Sequence, residues 1–143
     1  MSIPQKDEGA GKTILLAHSN IEFCNSLGEA LKSLGFGIVI AQDGETATTL
    51  FHLYQDQIKL VLTDIVLPKK DGFAILGEIR AITKNIPVVI LTNLDDEEDI
   101  KKAKEMGAED YIIRSKITTQ DIAKKVSSII HKSSEINKKK EYS

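Results

Sequence analysis

A single carboxylate, Asp64, follows an apolar run at 60–63 and precedes Pro68 and an Asp-Gly turn at 71–72. The run is typical of a buried strand, so Asp64 stands at the carboxyl end of that strand. In an open parallel sheet this is the edge where ligands bind and chemistry takes place. An isolated acid in such a place is a nucleophile, a metal ligand or the cap of a loop.

Polar side chains follow three other apolar runs of the chain in the same way. They are His18, Ser19 and Asn20 after the first run, Thr92 and Asn93 at the fourth, and Arg114 and Ser115 after the fifth. A carboxylate flanked by a hydroxyl and a guanidinium suits phosphoryl transfer: Asp64 would attack phosphorus while Thr92 and Arg114 hold the equatorial oxygens. The alternative is an Asp64–Arg114 ion pair and a Thr92 that caps the next helix. The spacing alone leaves both interpretations open.

Five apolar runs alternate with five amphipathic stretches and predict the elements that carry these residues. The runs cover residues 13–17, 38–41, 60–63, 88–92 and 111–113. They are continuous rather than alternating, as expected of parallel strands covered on both faces. Apolar residues repeat at helical spacing in the stretches between and after them. Five strand–helix repeats with right-handed crossovers predict a doubly wound α/β sandwich.

Turn and cap residues agree with this division of the chain. Gly35 and Gly107 stand just past two of the helices, where a left-handed conformation is wanted. Thr118 and Asp121 resemble a capping box at the start of the last helix. The acids at 95–98 place negative charge in the first turn of the fourth helix, which its dipole favours.

The composition predicts a single cytoplasmic domain. The chain has 143 residues, and its 19 basic and 21 acidic side chains nearly cancel, which argues against nucleic acid as the main partner. No apolar stretch reaches the roughly 18 residues that span a bilayer, and residues 1–12 lack the apolar core that a secretion signal needs. One cysteine, Cys24, fits a reducing compartment. We expect a disordered leader at 1–12, a folded domain at 13–131 and a disordered polar tail at 132–143.

Residues 13 to about 131 resemble the receiver (CheY-like) domain of bacterial two-component response regulators. The segments that carry the resemblance are LVLTDIVLPKKDGF at 60–73 and IPVVILTNLDDEEDIKKAKEMGAEDYIIRS at 86–115. The Asp to Pro to Asp-Gly spacing, the Thr that ends the fourth strand and the Gly-Ala-x-Asp-Tyr motif are all in register with the family.

The resemblance implies a flavodoxin-like fold, with strand order 2-1-3-4-5 and five helices. It implies Asp64 as phosphoacceptor, Thr92 as switch hydroxyl and Tyr111 as an aromatic that changes rotamer. A histidine kinase or another phosphorelay protein would be the phosphodonor. The fourth and fifth helix–strand face would serve for output or for a homodimer.

The family normally ends its first strand with two acids that hold Mg²⁺ together with the phosphoacceptor, and this chain has His18 and Ser19 there. Mg²⁺ is a hard cation that needs carboxylate oxygens. Only Asp64 and the carbonyl of Val66 remain as candidate ligands. We therefore expect magnesium binding to be weak or absent, and no other cofactor.

Three further residues depart from the family's pattern. Arg114 replaces a lysine, Ser115 replaces a proline that is usually cis, and Asn93 is larger than the small residue usually found there, so we expect it to narrow the access to Asp64. Two unit charges about 4 Å apart attract by about 4 kcal/mol at an effective dielectric of about 20, before desolvation. Asp64 would then rest in an ion pair with Arg114 without a metal, with His18 as a possible titratable neighbour.

The sequence thus predicts a stand-alone signalling receiver with an altered acidic pocket, which is not an enzyme. It would act by protein–protein contact with an unknown downstream protein, because no output domain follows in this sequence. The alternative is a conventional response regulator that a histidine kinase phosphorylates on Asp64. A haloacid-dehalogenase-like phosphatase needs Asp-x-Asp-x-Thr, where this chain has Val66 and Pro68, and nucleotide binding lacks a glycine-rich loop after the first strand.

Overall fold

Five parallel strands form one sheet in the order β2-β1-β3-β4-β5, as the sequence predicts. The computed structural model describes residues 12–141, with side chains described for 12–135, so the expected leader lies outside the described residues except for Lys12. The strands are β1 (Thr13–Ala17), β2 (Gly37–Ala41), β3 (Ile58–Thr63), β4 (Val88–Thr92) and β5 (Asp110–Ile113). The helices are α1 (Ile21–Ser33), α2 (Gly44–Leu53), α3 (Gly72–Ile82), α4 (Glu97–Glu105) and α5 (Thr119–Glu141). The predicted doubly wound fold is confirmed.

Both faces of the sheet are covered by helices, which explains the continuous apolar runs. Every residue of β1, β2 and β4 is buried. Ile14 and Leu16 of β1 pack in one apolar cluster with side chains of α1 and α5, whereas Leu15 and Ala17 pack with side chains of α2 and α3. Because successive strand residues point to opposite faces, a central strand covered on both sides has no position that faces solvent.

The ends of several helices are set by the residues that the sequence singles out. Gly35 and Gly107 have φ values of 93° and 98°, a conformation that favours glycine. The hydroxyl of Thr118 accepts a hydrogen bond from the backbone N–H of Asp121 at 3.1 Å, half of the predicted capping box. The two glycines thus end α1 and α4 a few residues before β2 and β5 begin.

The last helix is longer than the sequence predicts. A disordered polar tail is expected at 132–143, whereas α5 continues as helix to Glu141. Lysine and glutamate are good helix formers, and the segment from 132 to 141 contains neither glycine nor proline to end the helix. No helix in the part of the chain that the structure describes is both long enough and apolar enough to cross a bilayer.

The β3–α3 loop, residues 64–71, is held against α2 and α3 by two glycines that leave no room for a side chain. A Cβ at Gly72 would lie 2.3 Å from the carbonyl oxygen of Asp64, and one at Gly44 would lie 1.8 Å from that of Lys70. The N–H of Gly72 donates to the carbonyl of Ile65 at 2.9 Å. The backbone at Asp64 is therefore fixed by close contact with the start of α3.

Replacement of Gly72 by alanine should destabilise the fold by about 3 kcal/mol, because the new methyl group must displace the backbone of Asp64. Urea denaturation measures the free energy of unfolding. Gly77→Ala in the same helix is the matched control, since its Cβ would meet only the flexible end of Met106 at 3.6 Å. That variant should gain about 0.5–1 kcal/mol in helix stability. Equal effects at both positions would contradict this account of the loop.

Candidate functional site

The carboxyl ends of β1, β3, β4 and β5 meet at one edge of the sheet and bring His18, Asp64 and Arg114 together. Nε2 of His18 lies 3.3 Å from Oδ2 of Asp64 and 3.4 Å from Nη1 of Arg114. Ser19, which directly follows His18, is exposed. Of the two residues that replace the family's acid pair, the imidazole is therefore the one in contact with Asp64.

Both oxygens of Asp64 have polar neighbours. Oδ1 accepts hydrogen bonds from the N–H groups of Ile65 at 2.7 Å and Val66 at 3.4 Å, and Oδ2 faces His18. The Asp64 side chain is only 13% exposed and that of His18 only 3%. Of the three roles that the sequence leaves open for this acid, the loop cap is present in the structure.

The hydrogen bond at the other ring nitrogen of His18 assigns its tautomer. Nδ1 accepts from the backbone N–H of Asn20 at 3.1 Å, so the proton of the neutral ring is assigned to Nε2. That N–H is the positive edge of the ring, and it lies beside the carboxylate of Asp64. At 3.3 Å the contact is polar but longer than a typical hydrogen bond.

Burial lowers the pKa of His18 below its ordinary value of 6.5. The charge of Asp64 raises this pKa, and the charge of Arg114 lowers it. The N–H of Asn20 also favours the neutral ring and so lowers the pKa of His18, because a protonated Nδ1 would face another hydrogen-bond donor. The imidazole beside Asp64 is therefore neutral at pH 7.

Arg114 stacks on an aromatic ring instead of pairing with Asp64. Its Cζ lies 4.3 Å from the ring centroid of Phe23 in α1, and that ring lies 4.8 Å from the ring of His18. Such a cation–π contact is worth about 0.5–1 kcal/mol or more. The expected Asp64–Arg114 ion pair is wrong: in the described part of the chain, Oδ2 of Asp64 faces the neutral ring of His18 instead.

Phe23 is the site residue that sequence reasoning missed. Its helical spacing with other apolar residues of α1 assigns it to the core, and it does pack against that core. A signal was present nonetheless, since Phe23 lies in the first turn of the helix that follows His18, close to the ends of the strands. Cys24, its neighbour, is buried, and burial raises the pKa of its thiol to about 11, which fits a packing role.

Thr92 and Tyr111 both bind Leu94 in the β4–α4 loop, residues 93–96. The buried hydroxyl of Thr92 accepts from the N–H of Leu94 at 3.3 Å, and the hydroxyl of Tyr111 donates to the Leu94 carbonyl at 2.7 Å. Burial, with nearby acids, raises the pKa of Tyr111 to about 12. The cap of α4 is Asp96, which accepts from Glu98 at 2.9 Å, so the interpretation of Thr92 as that cap is wrong.

Asn93 connects the β4–α4 loop to the chain after β5. Its Oδ1 accepts from the N–H of Ser115 at 2.9 Å. Sequence reasoning treats Asn93 and Ser115 as two separate departures, whereas the structure joins them by one hydrogen bond. Within residues 12–135, no group of three or more His, Cys, Asp or Glu side chains is placed to hold a metal ion.

Comparisons with known proteins agree on one family. Residues 14–127 match the family model described as "Response regulator receiver domain". Chemotaxis protein CheY of Treponema pallidum (strain Nichols) is 30% identical over 127 residues, which are 88% of this chain and 88% of that protein. A chain in the crystal structure of the CheX-CheY-BeF3-Mg²⁺ complex from Borrelia burgdorferi superposes with a TM-score of 0.77. It is 27% identical, and the match covers 88% of this chain and 94% of that chain.

Some relatives are longer than this chain. Probable transcriptional regulator ycf27 of Cyanophora paradoxa is 36% identical over 103 residues, which are 72% of this chain but only 42% of that protein. The chain thus spans less than half the length of the ycf27 relatives that it matches.

The lowered pKa of His18 predicts how stability depends on pH. Between the folded pKa and 6.5, the unfolded chain binds more protons than the folded one, so the unfolding free energy falls as the pH falls. His18→Gln should therefore lose less stability than the wild type between about pH 7.5 and about pH 5.5. Urea denaturation at several pH values measures this.

The exposed His52 of α2 supplies the control, since His52→Gln also removes one histidine and should keep the pH dependence that His18→Gln loses. Titration of the imidazole carbons by NMR should give a midpoint below 6.5 for His18. A midpoint above that value, or identical slopes for the wild type and His18→Gln, would contradict the assignment of a neutral ring.

Proposed function

The chain belongs to the response regulator receiver domain family of two-component signalling, and from this premise we propose that it signals by protein–protein contact while Asp64 accepts phosphate weakly or not at all. The observation that carries the proposal is the contact between the buried imidazole of His18 and the Asp64 carboxylate. In the family's pattern an acid occupies the place of His18. A metal-binding carboxylate is thus replaced by a neutral ring that presents an N–H.

The residues at the site do not fit Mg²⁺. This ion binds carboxylate oxygens and water in octahedral geometry. Asp64 is the one carboxylate among the candidate ligands, and its Oδ1 already accepts from two backbone N–H groups. The Nε2–H of the neutral His18 ring carries a partial positive charge beside Oδ2, which disfavours a cation there. We therefore propose no step through a bound magnesium ion.

The groups that would stabilise a transferring phosphoryl group have other partners. Phosphoryl transfer depends on charges and donors aimed at the equatorial oxygens. The guanidinium of Arg114 rests on Phe23, and the hydroxyl of Thr92 accepts from Leu94. The guanidinium would have to leave Phe23 before it could contact a phosphoryl group on Asp64, whereas the Thr92 hydroxyl still has its own proton to donate. Transfer to Asp64 would then be slow even if a phosphodonor reached the carboxylate.

Contact with other proteins is the way of signalling that we propose. The Borrelia burgdorferi structure is of a complex between a CheY and a CheX protein. By analogy we propose a histidine kinase or another phosphorelay protein, and a downstream protein, as the partners of this chain. A homodimer through the α4–β5–α5 face stays a prediction. So does the absence of nucleic-acid binding, since ycf27 is described as a probable transcriptional regulator.

Intact mass after incubation with acetyl phosphate and Mg²⁺ tests the proposal. The wild type should show little or no gain of a phosphate mass. The double variant His18→Asp with Ser19→Asp restores the two acids of the family's pattern, and it should gain that mass. Adding Asp64→Asn to the double variant should abolish the gain, which would assign it to Asp64. A melting curve of each variant, with and without Mg²⁺, checks that it is folded and reports on metal binding.

A fast mass gain in the wild type that Asp64→Asn removes would refute the proposal. The protein would then be a conventional response regulator. A double variant that is folded, is stabilised by Mg²⁺ and still gains no phosphate would show that the two missing acids are not the cause.

A further inference from the structure

The ladder between β4 and β5 ends at the edge of the sheet where the site lies. Its last pair is Thr92 with Ile113. Beyond that pair the two chains separate, one into the β4–α4 loop and the other into a short 3₁₀ turn at Arg114–Lys116. The hydrogen bond from the N–H of Ser115 to Oδ1 of Asn93, at 2.9 Å, connects them again just past the end of the ladder.

We propose that Asn93 is a positioning residue, and that its hydrogen bond to Ser115, here called the 93–115 latch, fixes the backbone from which Thr92 and Arg114 extend. Each end of the latch directly follows one of the two residues in the chain. The latch therefore connects β4 and β5 once more, through a side chain, just past the point where their backbone hydrogen bonds end.

Other contacts fix the two segments that the latch joins. On one side, Leu94 is bound by the hydroxyls of Thr92 and Tyr111. On the other, the guanidinium of Arg114 stacks on Phe23. The bond from Tyr111 of β5 to Leu94 already connects β5 to the β4–α4 loop, but Tyr111 precedes Arg114 in the chain. The latch adds a connection at Ser115, past Arg114, so that the backbone on both sides of Arg114 is held to the β4–α4 loop.

The latch also explains why two departures from the family's pattern occur together. A proline at 115 has no N–H and could not donate. A small apolar side chain at 93 would offer no oxygen to accept. The hydrogen bond needs both Asn93 and Ser115, so neither departure alone would produce it.

The consequence for the site concerns the backbone from which Arg114 extends. That backbone directs the guanidinium to Phe23 and His18 and away from the Asp64 carboxylate. The latch thereby maintains the neutral His18–Asp64 contact. This role rests on the proposed function, since it describes how the same site is kept in the form that resists phosphorylation.

NMR of the unphosphorylated protein tests the latch through two readouts. Asn93→Leu keeps the size of the side chain but removes its oxygen. The Ser115 amide should then exchange with solvent about fivefold faster, as expected for the loss of one hydrogen bond. The second readout is the upfield shift that the Phe23 ring causes in the Arg114 side-chain protons. This shift should shrink in Asn93→Leu, as it must in Phe23→Leu, which removes the ring.

Two matched variants should retain both signals. Asn93→Asp keeps an acceptor oxygen, and Ser115→Ala keeps the N–H while removing the hydroxyl. Unchanged exchange of the Ser115 amide in Asn93→Leu would overturn the latch. Faster exchange with an unchanged Arg114 shift would overturn the positioning role, because the bond would then be local. Asn93→Ala repeats the test if the leucine variant aggregates.

Neither readout involves a phosphodonor. A mass gain in the wild type would therefore refute the proposed function and leave the geometry of the latch standing, whereas a failed latch would leave the phosphorylation result unaffected.

Discussion

The site depends on one contact, the buried imidazole of His18 beside the carboxylate of Asp64. Asn20 supports the site in two ways: its backbone N–H donates to Nδ1 of His18, and its side-chain oxygen caps α1 by accepting from the N–H of Phe23. One residue thus sets the tautomer of the imidazole and begins the helix that carries the aromatic ring under Arg114. The neutral ring of His18 thus contacts both the Asp64 carboxylate and the Arg114 guanidinium.

The sheet supplies the rigid base for this arrangement. β1 and β3 are neighbours, and all of their residues except Lys59 are buried, so the residues that follow them emerge side by side at the same edge. Gly72 lets the start of α3 press against the backbone of Asp64. The loops beyond the strands are less confined, and side-chain hydrogen bonds take over there: Thr92 and Tyr111 hold Leu94, and Asn93 holds Ser115. The core fixes where chemistry can occur, and these loop contacts fix which groups face one another.

Much of the fold follows from the sequence because burial on both faces leaves a clear pattern. The strands observed in the structure match the apolar runs to within a residue or two, and Gly35 and Gly107 adopt the expected left-handed conformation. The α5 boundary is harder to predict, because a polar segment of good helix formers resembles a disordered tail in composition. The Asp64–Arg114 pair was wrong for a related reason. Residue types at strand ends show which groups arrive at an edge, but they do not show how each side chain is directed.

The sequence by itself determined the family, the five-stranded topology, and the replacement of two acids by His18 and Ser19 at the edge that holds Asp64. These follow from local patterns: periodicity, turns and residue identity. Only the tertiary structure decided that Arg114 lies on Phe23, that His18 stands in contact with Asp64, and that Asn93 bonds Ser115. Each of these contacts joins residues distant in the chain or aims a side chain in one of several allowed rotamers. Which rotamer is chosen depends on neighbours from α1, β1 and β5 packed at the same time, and no local pattern contains that information.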